Sequence, residues 1–259
     1  MKYNQEQGYQ RNHAIVRGQE KALEEFVNSS TVINKKRVRH KLQNSYSSNS
    51  EDALTWSCFD TLRSYNTENL IDALNEILED AFENNKPFDF KHERNIEIKI
   101  GEEYKAPKLT KEKTEVDVSI ETVDKLIFIE AKLYSLISLP SAIQPHNQIA
   151  NKLRIGLDYA RSNNKQFYFI FLDIAPLEKL SLCKSKTEAE EVSRKFADKW
   201  KSAWWFKYYR DGRNNSIKPL REILADITND DEVIKRVAKN MGWLTWACLF
   251  KTVLRATIP

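Results

Sequence analysis

The run Gln166-Phe167-Tyr168-Phe169-Ile170-Phe171-Leu172-Asp173-Ile174 is apolar at almost every position. It is far shorter than the roughly 18 residues an apolar helix needs to cross a bilayer. A short, uninterrupted apolar run fits a central strand buried on both faces, and such a strand needs a layer of helices on each side. Set in an order of helices, three strands, a helix, this strand and further helices, it points to a layered α/β architecture with a mixed sheet.

The rest of the chain supplies the layers. Leu54, Trp56, Phe59 and Leu62 give an apolar side to a helix beginning near Ser50-Glu51-Asp52, where Ser50 can cap and the two acids favour the dipole. A second helix is predicted from about Glu68 to Asn84, with Leu70, Ile71, Leu74, Ile77, Leu78 and Phe82 at helical spacing. Asn95 to Ile100 then alternates strictly, and Thr114 to Ile120 alternates again with Val116, Val118 and Ile120 on one face. Lys125 to Leu133 reads as a third strand. It is close enough to the second for an antiparallel hairpin around Glu121 to Asp124. Ser141 to Arg161 reads as a helix, and the segment after about Glu178 as mainly helical, broken at Pro219 and at Asn229-Asp230-Asp231. A short amphipathic helix is predicted over about Asn12 to Asn28 and a loop over Gln43 to Ser50. The expected division is a helical, basic extension over 1–45, a core over 46–178 and a helical region packed on it over 179–259.

The chemistry is concentrated in the hairpin. Asp117 and Glu115 share the strand face opposite the three apolar residues, and Glu130 and Lys132, two apart, share a face of the next strand. Pairing the strands can bring Asp117 beside Glu130. Burying such charges in an apolar sheet is costly without a compensating partner. A divalent cation supplies one, since hard carboxylate oxygens suit Mg²⁺ and leave room for phosphate oxygens. Lys132 beside it can orient or deprotonate a water, or stabilise developing charge. Phosphodiester hydrolysis needs these parts.

Asp117 followed at hairpin distance by Glu130-Ala131-Lys132 resembles the signature of the PD-(D/E)XK nuclease superfamily, over roughly residues 50–175. Val116 stands where the signature has proline, a change the family tolerates. The resemblance implies a restriction endonuclease-like mixed sheet, with helical N- and C-terminal additions in this chain. It also implies Mg²⁺-dependent endonucleolytic cleavage of DNA, with Mn²⁺ able to substitute, RNA left open as a substrate, and action as a homodimer or within a larger complex. Restriction, phage defence and repair are the settings it suggests. By the same resemblance Glu51, with Asp52 as competitor, contributes an acid to the metal site alongside Asp117 and Glu130. Gln148, ahead of Gln144, is the polar residue that the following helix turns to the site. Two other readings compete: a nucleic-acid-binding subunit that kept the fold and lost catalysis, and a protein docking a partner through its C-terminal helices.

Charge and composition add a partner surface. The net charge of +4 is mild, but Lys35, Lys36, Arg37, Arg39 and Lys41 form a dense block suited to tracking phosphates, or to a solvated face. Trp200, Trp204 and Tyr208, spaced by four, read better as a helix packed into the core than as a base-stacking surface, and Trp243 and Trp246 as core or interface. Three scattered cysteines and a polar N-terminus without an apolar signal segment lead to the expectation of a reducing cytoplasm and no membrane.

Overall fold

A computed structural model of the protein describes residues 31–33, 36–38, 51–108, 112–133, 137–142, 144–174, 187, 204–212 and 216–257. The central element is a five-stranded mixed sheet. In chain order its strands are β3 (Glu97–Lys105), β4 (Lys113–Glu121), β5 (Lys125–Ala131), β6 (Gln166–Asp173) and β7 (Met241–Thr245), and they are neighbours in that same order. The first three pair antiparallel, while β6 runs parallel to β5, and β7 to β6. Separately, β1 (Thr31–Ile33) and β2 (Lys36–Val38) form a small antiparallel hairpin.

The apolar run does what its composition requires. Tyr168, Ile170 and Leu172 face one side with Ile127, Ile129 and Leu244, against α1 (Glu51–Arg63), α2 (Thr67–Ala81) and α7 (Trp246–Thr257). Phe167, Phe169 and Phe171 face the other with Leu126, Phe128 and Trp243, against α3 (Gln148–Ser162), α4 (Trp204–Arg210), α5 (Lys218–Leu224) and α6 (Asp231–Lys239). Each such side chain contributes about 1.5–3 kcal/mol by leaving water. The helix α3 starts where Asn147 caps it, its side chain accepting from the Ala150 amide at 2.9 Å. It lies so close to the sheet that a Cβ on Gly156 would sit 2.2 Å from the Phe167 ring.

One irregularity shapes the end of the sheet that carries Asp117. In the β3–β4 ladder Ile100 pairs with Val118 and Glu102 with Val116, which leaves Gly101 opposite Asp117. Gly101 has a φ of 68°, in the left-handed region that side chains resist. On one side of this point Val118 and Ile120 belong to the core beneath α1, α2 and α7; on the other, Val116 and Tyr104 belong to the core beneath α3. The hairpin therefore folds over α3 at Gly101 and Asp117. Side chains of α3 support the bent strand: Asn151 donates to the Lys113 carbonyl at 3.3 Å and Lys152 to the Glu115 carbonyl at 2.6 Å. The Tyr104 hydroxyl closes the fold, 2.7 Å from both Ser119 Oγ and Glu121 Oε1.

Several sequence expectations change. The C-terminal region is not purely helical, because β7 joins the central sheet and the sheet runs through both the 46–178 and 179–259 segments. Its Met241-Gly242-Trp243-Leu244-Thr245 is too short to show a period, so the neighbouring helical spacing masked it. The helix expected from Ser141 begins only at Gln148, since Pro145 denies a backbone donor just upstream. On α4 the deeply buried residues are Trp205, Phe206 and Tyr209, with Trp204 and Tyr208 half-buried, while Trp200 lies outside the described residues. Trp243 and Trp246 are core residues. The predicted N-terminal helix and the Gln43 to Ser50 loop also lie outside the described residues. No helix among those described is long and apolar enough to cross a membrane.

Replacing Gly101 with alanine is expected to lower stability by about 1–2 kcal/mol through left-handed strain. Asparagine, which tolerates that region, should recover part of the loss. Urea unfolding checks this; an alanine variant as stable as wild type would mean that the bend does not depend on glycine.

Candidate active site

The bend delivers Asp117 to Glu130. The β4–β5 ladder ends at Val118 opposite Ile129, so Asp117 is the next residue, directly across from Glu130. There its side chain takes over from the ladder, with Oδ2 accepting the Ala131 amide at 2.8 Å. Glu130 is completely buried and projects to the α3 side of the sheet, like its strand neighbour Phe128. Burial pushes its carboxyl up from the usual range, and the facing Asp117 pushes it in the same direction.

Two ammonium groups answer that charge. Lys132 Nζ lies 2.8 Å from Glu130 Oε1, and Lys152 Nζ lies 2.5 Å from Glu130 Oε2. Burial works against the Lys132 ammonium, but Glu130, Asp117 and Glu51 outweigh it and raise its pKa. The lysine's backbone is pinned as well. Its amide donates to the Leu172 carbonyl at 2.7 Å, and its carbonyl accepts the Trp246 indole N–H at 3.1 Å.

Glu51 comes from the first turn of α1. Its Oε1 lies 3.3 Å from Lys132 Nζ, and its Oε2 accepts the Leu133 amide at 2.9 Å. It therefore holds the lysine and the strand end. Among the described residues no group of three or more His, Cys, Asp or Glu side chains is disposed to hold a metal ion. The carboxylates that come together are those of Asp117 and Glu130, on facing residues of β4 and β5, and both Glu130 oxygens lie against lysine ammonium groups.

Gln148 is the first residue of α3 and bonds to the preceding loop: Oε1 accepts the Ser138 amide at 3.3 Å and its own amide donates to the Ser138 carbonyl at 3.0 Å. Lys152, one turn further in and only 1% exposed, is the α3 side chain that reaches Glu130. Sequence reasoning missed it. The available signal was its place within the apolar arc of α3, three residues after Ile149 and four before Gly156. Asp173 was missed too; two residues beyond Phe171, which pairs with Glu130, it ends β6 on the same sheet face, buried. The Glu115 side chain is exposed, and Gln144 is exposed in the loop before α3. Lys36 and Arg37 lie on β2, whereas Lys35, Arg39 and Lys41 lie outside the described residues.

The chain matches no protein-family model, no curated protein and no solved structure.

Gln148→Ala removes one long side-chain bond and is expected to cost about 1 kcal/mol or less. Lys132→Met takes a cation from buried carboxylates and is expected to cost about 3 kcal/mol or more. Denaturant titration of both variants checks the contrast; equal losses would place Gln148 within the charged cluster.

Proposed function

We propose that the protein is a metal-dependent nuclease that hydrolyses DNA phosphodiester bonds, a member of the PD-(D/E)XK superfamily with a restriction endonuclease-like core. The observation that carries this reading is the opposition of Asp117 and Glu130 on adjacent strands, with Lys132 in contact with Glu130. The order of helix α1, the β3–β4–β5 meander, helix α3 and strand β6 supports it, because it is the arrangement the signature implies.

In this reading Asp117 and Glu130 hold Mg²⁺ or Mn²⁺. Once bound, the cation supplies Lewis-acid neutralisation of phosphate charge and a more acidic water. The protein's own groups do the rest. Lys132 presents an ammonium to the developing negative charge, and Glu51 keeps it aimed by holding both its Nζ and the following backbone amide. Asp117 is fixed by the Ala131 amide, so its second oxygen is oriented without rotamer freedom. The basic block at Lys35, Lys36, Arg37, Arg39 and Lys41 supplies phosphate contacts that position a duplex without reading it. A cytoplasmic setting, assembly as a homodimer or within a larger complex, and a role in restriction, phage defence or repair belong to the same proposal.

One observation favours a second reading, a binding subunit without catalysis. Both Glu130 oxygens are already engaged by ammonium groups. Divalent-ion binding separates the two readings.

The test is cleavage of supercoiled, linear and single-stranded DNA, and of RNA, with Mg²⁺ or with chelator. Wild type is expected to cut only with Mg²⁺, and Asp117→Asn, Glu130→Gln and Lys132→Met are each expected to lose about a hundredfold or more. Cleavage that persists in chelator, or in any of the three folded variants, would remove the metal or that residue from the mechanism.

Exchanging the five basic-block residues for glutamine is expected to weaken DNA binding equally for unrelated duplexes. It should also flatten the plot of log affinity against log salt. Binding measured with Ca²⁺ in place of Mg²⁺ reads that slope, and an unchanged slope would make the block a solvated face.

A further inference from the structure

A cleft of about 780 Å³ opens at the end of the sheet away from Glu130, between the two helix layers. Gln166 and Met241, the first residues of β6 and β7, lie at its base. Phe171, which pairs with Glu130, is five residues along β6 from Gln166, roughly 16 Å at the rise of a strand. One wall is the end of α2 with the loop after it, and the other is α6 with the end of α4. The volume falls within the range of small-molecule sites, about 300–1,000 Å³.

The charges on the walls do not cancel. The acids are engaged: Glu83 lies 3.7 Å and Asp211 2.6 Å from the Arg210 guanidinium, and Glu232 lies 2.7 Å from Lys235 Nζ. Lys86 lies between Glu79 and Asp89, at 3.5 and 3.0 Å. Arg236 and Lys239 are exposed, stand three residues apart on one side of α6, and have no acidic partner among the described residues. Two positive charges are left over.

The dipole of α6 suits cations in its last turn, but it does not account for the groups away from that helix. There the side-chain amides of Asn85 and Gln166 and the hydroxyl of Tyr168 make no hydrogen bond with a described residue. Both amides are exposed, whereas Tyr168 is buried at the base. Phe82 and Pro87, half-buried, add apolar surface beside them. An amide side chain offers a donor and an acceptor together, the pair that reads the edge of a nucleobase. An arginine and a lysine side by side answer a phosphate chain.

We propose that this cleft binds a nucleoside phosphate, with its phosphates at Arg236 and Lys239 and its base at Phe82, Asn85 and Gln166. The site is separate from Asp117 and Glu130 and does not rest on the nuclease reading.

The experiment is calorimetry at low salt in EDTA, which keeps divalent ions out of the measurement, with ATP, tripolyphosphate and adenosine as probes. Wild type is expected to bind ATP about fivefold or more tightly than either fragment. The double variant Arg236→Gln, Lys239→Gln changes two exposed side chains, so its fold should hold, and it is expected to lose about tenfold or more in ATP affinity. The charge-keeping pair Arg236→Lys, Lys239→Arg is expected to retain most of it. Asn85→Ala with Gln166→Ala is expected to weaken ATP binding and leave tripolyphosphate binding unchanged. No ATP binding by wild type, a fragment that binds as tightly as ATP, or wild-type ATP affinity in either the double glutamine or the double alanine variant overturns the proposal. None of these outcomes bears on DNA cleavage, so the two readings fail separately.

Discussion

The charge of Glu130, a carboxylate with no exposed surface at the end of an apolar strand, is the constraint that the surrounding structure answers. Taking one ion out of water costs several kcal/mol even after relaxation, and Asp117 across the ladder adds like-charge repulsion. Lys132 and Lys152 offset both terms, each on its own Glu130 oxygen. Those lysines need support in turn, and they draw in Glu51 from α1, the indole of Trp246 from α7 and the backbone of Glu115 on β4. Elements far apart in sequence are tied together through one buried charge.

The bend at Gly101 makes that arrangement possible. A regular β4 would carry Val116 and Val118 into the same core; here they enter different ones, on opposite faces of the sheet. Asp117 sits at the turn between them, where the ladder to β5 has ended and the Ala131 amide is available to its side chain. The same bend brings the Glu115 carbonyl within reach of Lys152, so backbone geometry and site electrostatics are coupled at one residue pair. Breaks in strand regularity near a functional site have this use generally: they re-aim a side chain that the pleat would point elsewhere.

The strand run at Gln166, the hairpin and the two helices before it were legible because their apolar periods are long and undisturbed. Asp117, Glu130 and Lys132 were legible because charge on an apolar strand is itself an anomaly. Other features had no comparable local signal. β7 is five residues long and buried beside β6, a setting only the tertiary fold creates. Lys152 looks like an ordinary helix surface lysine, and its burial follows from α3 being covered on nearly every side. Gln148 was placed by helix position alone, and the capping geometry of Asn147 puts it at the first turn, beside Ser138.

The most direct measurement is a crystal soaked in Mn²⁺ and examined for anomalous scattering. The account requires a peak between the carboxylates of Asp117 and Glu130. Full Mn²⁺ exposure with no peak at that position, and with both ammonium groups still on Glu130, would contradict it.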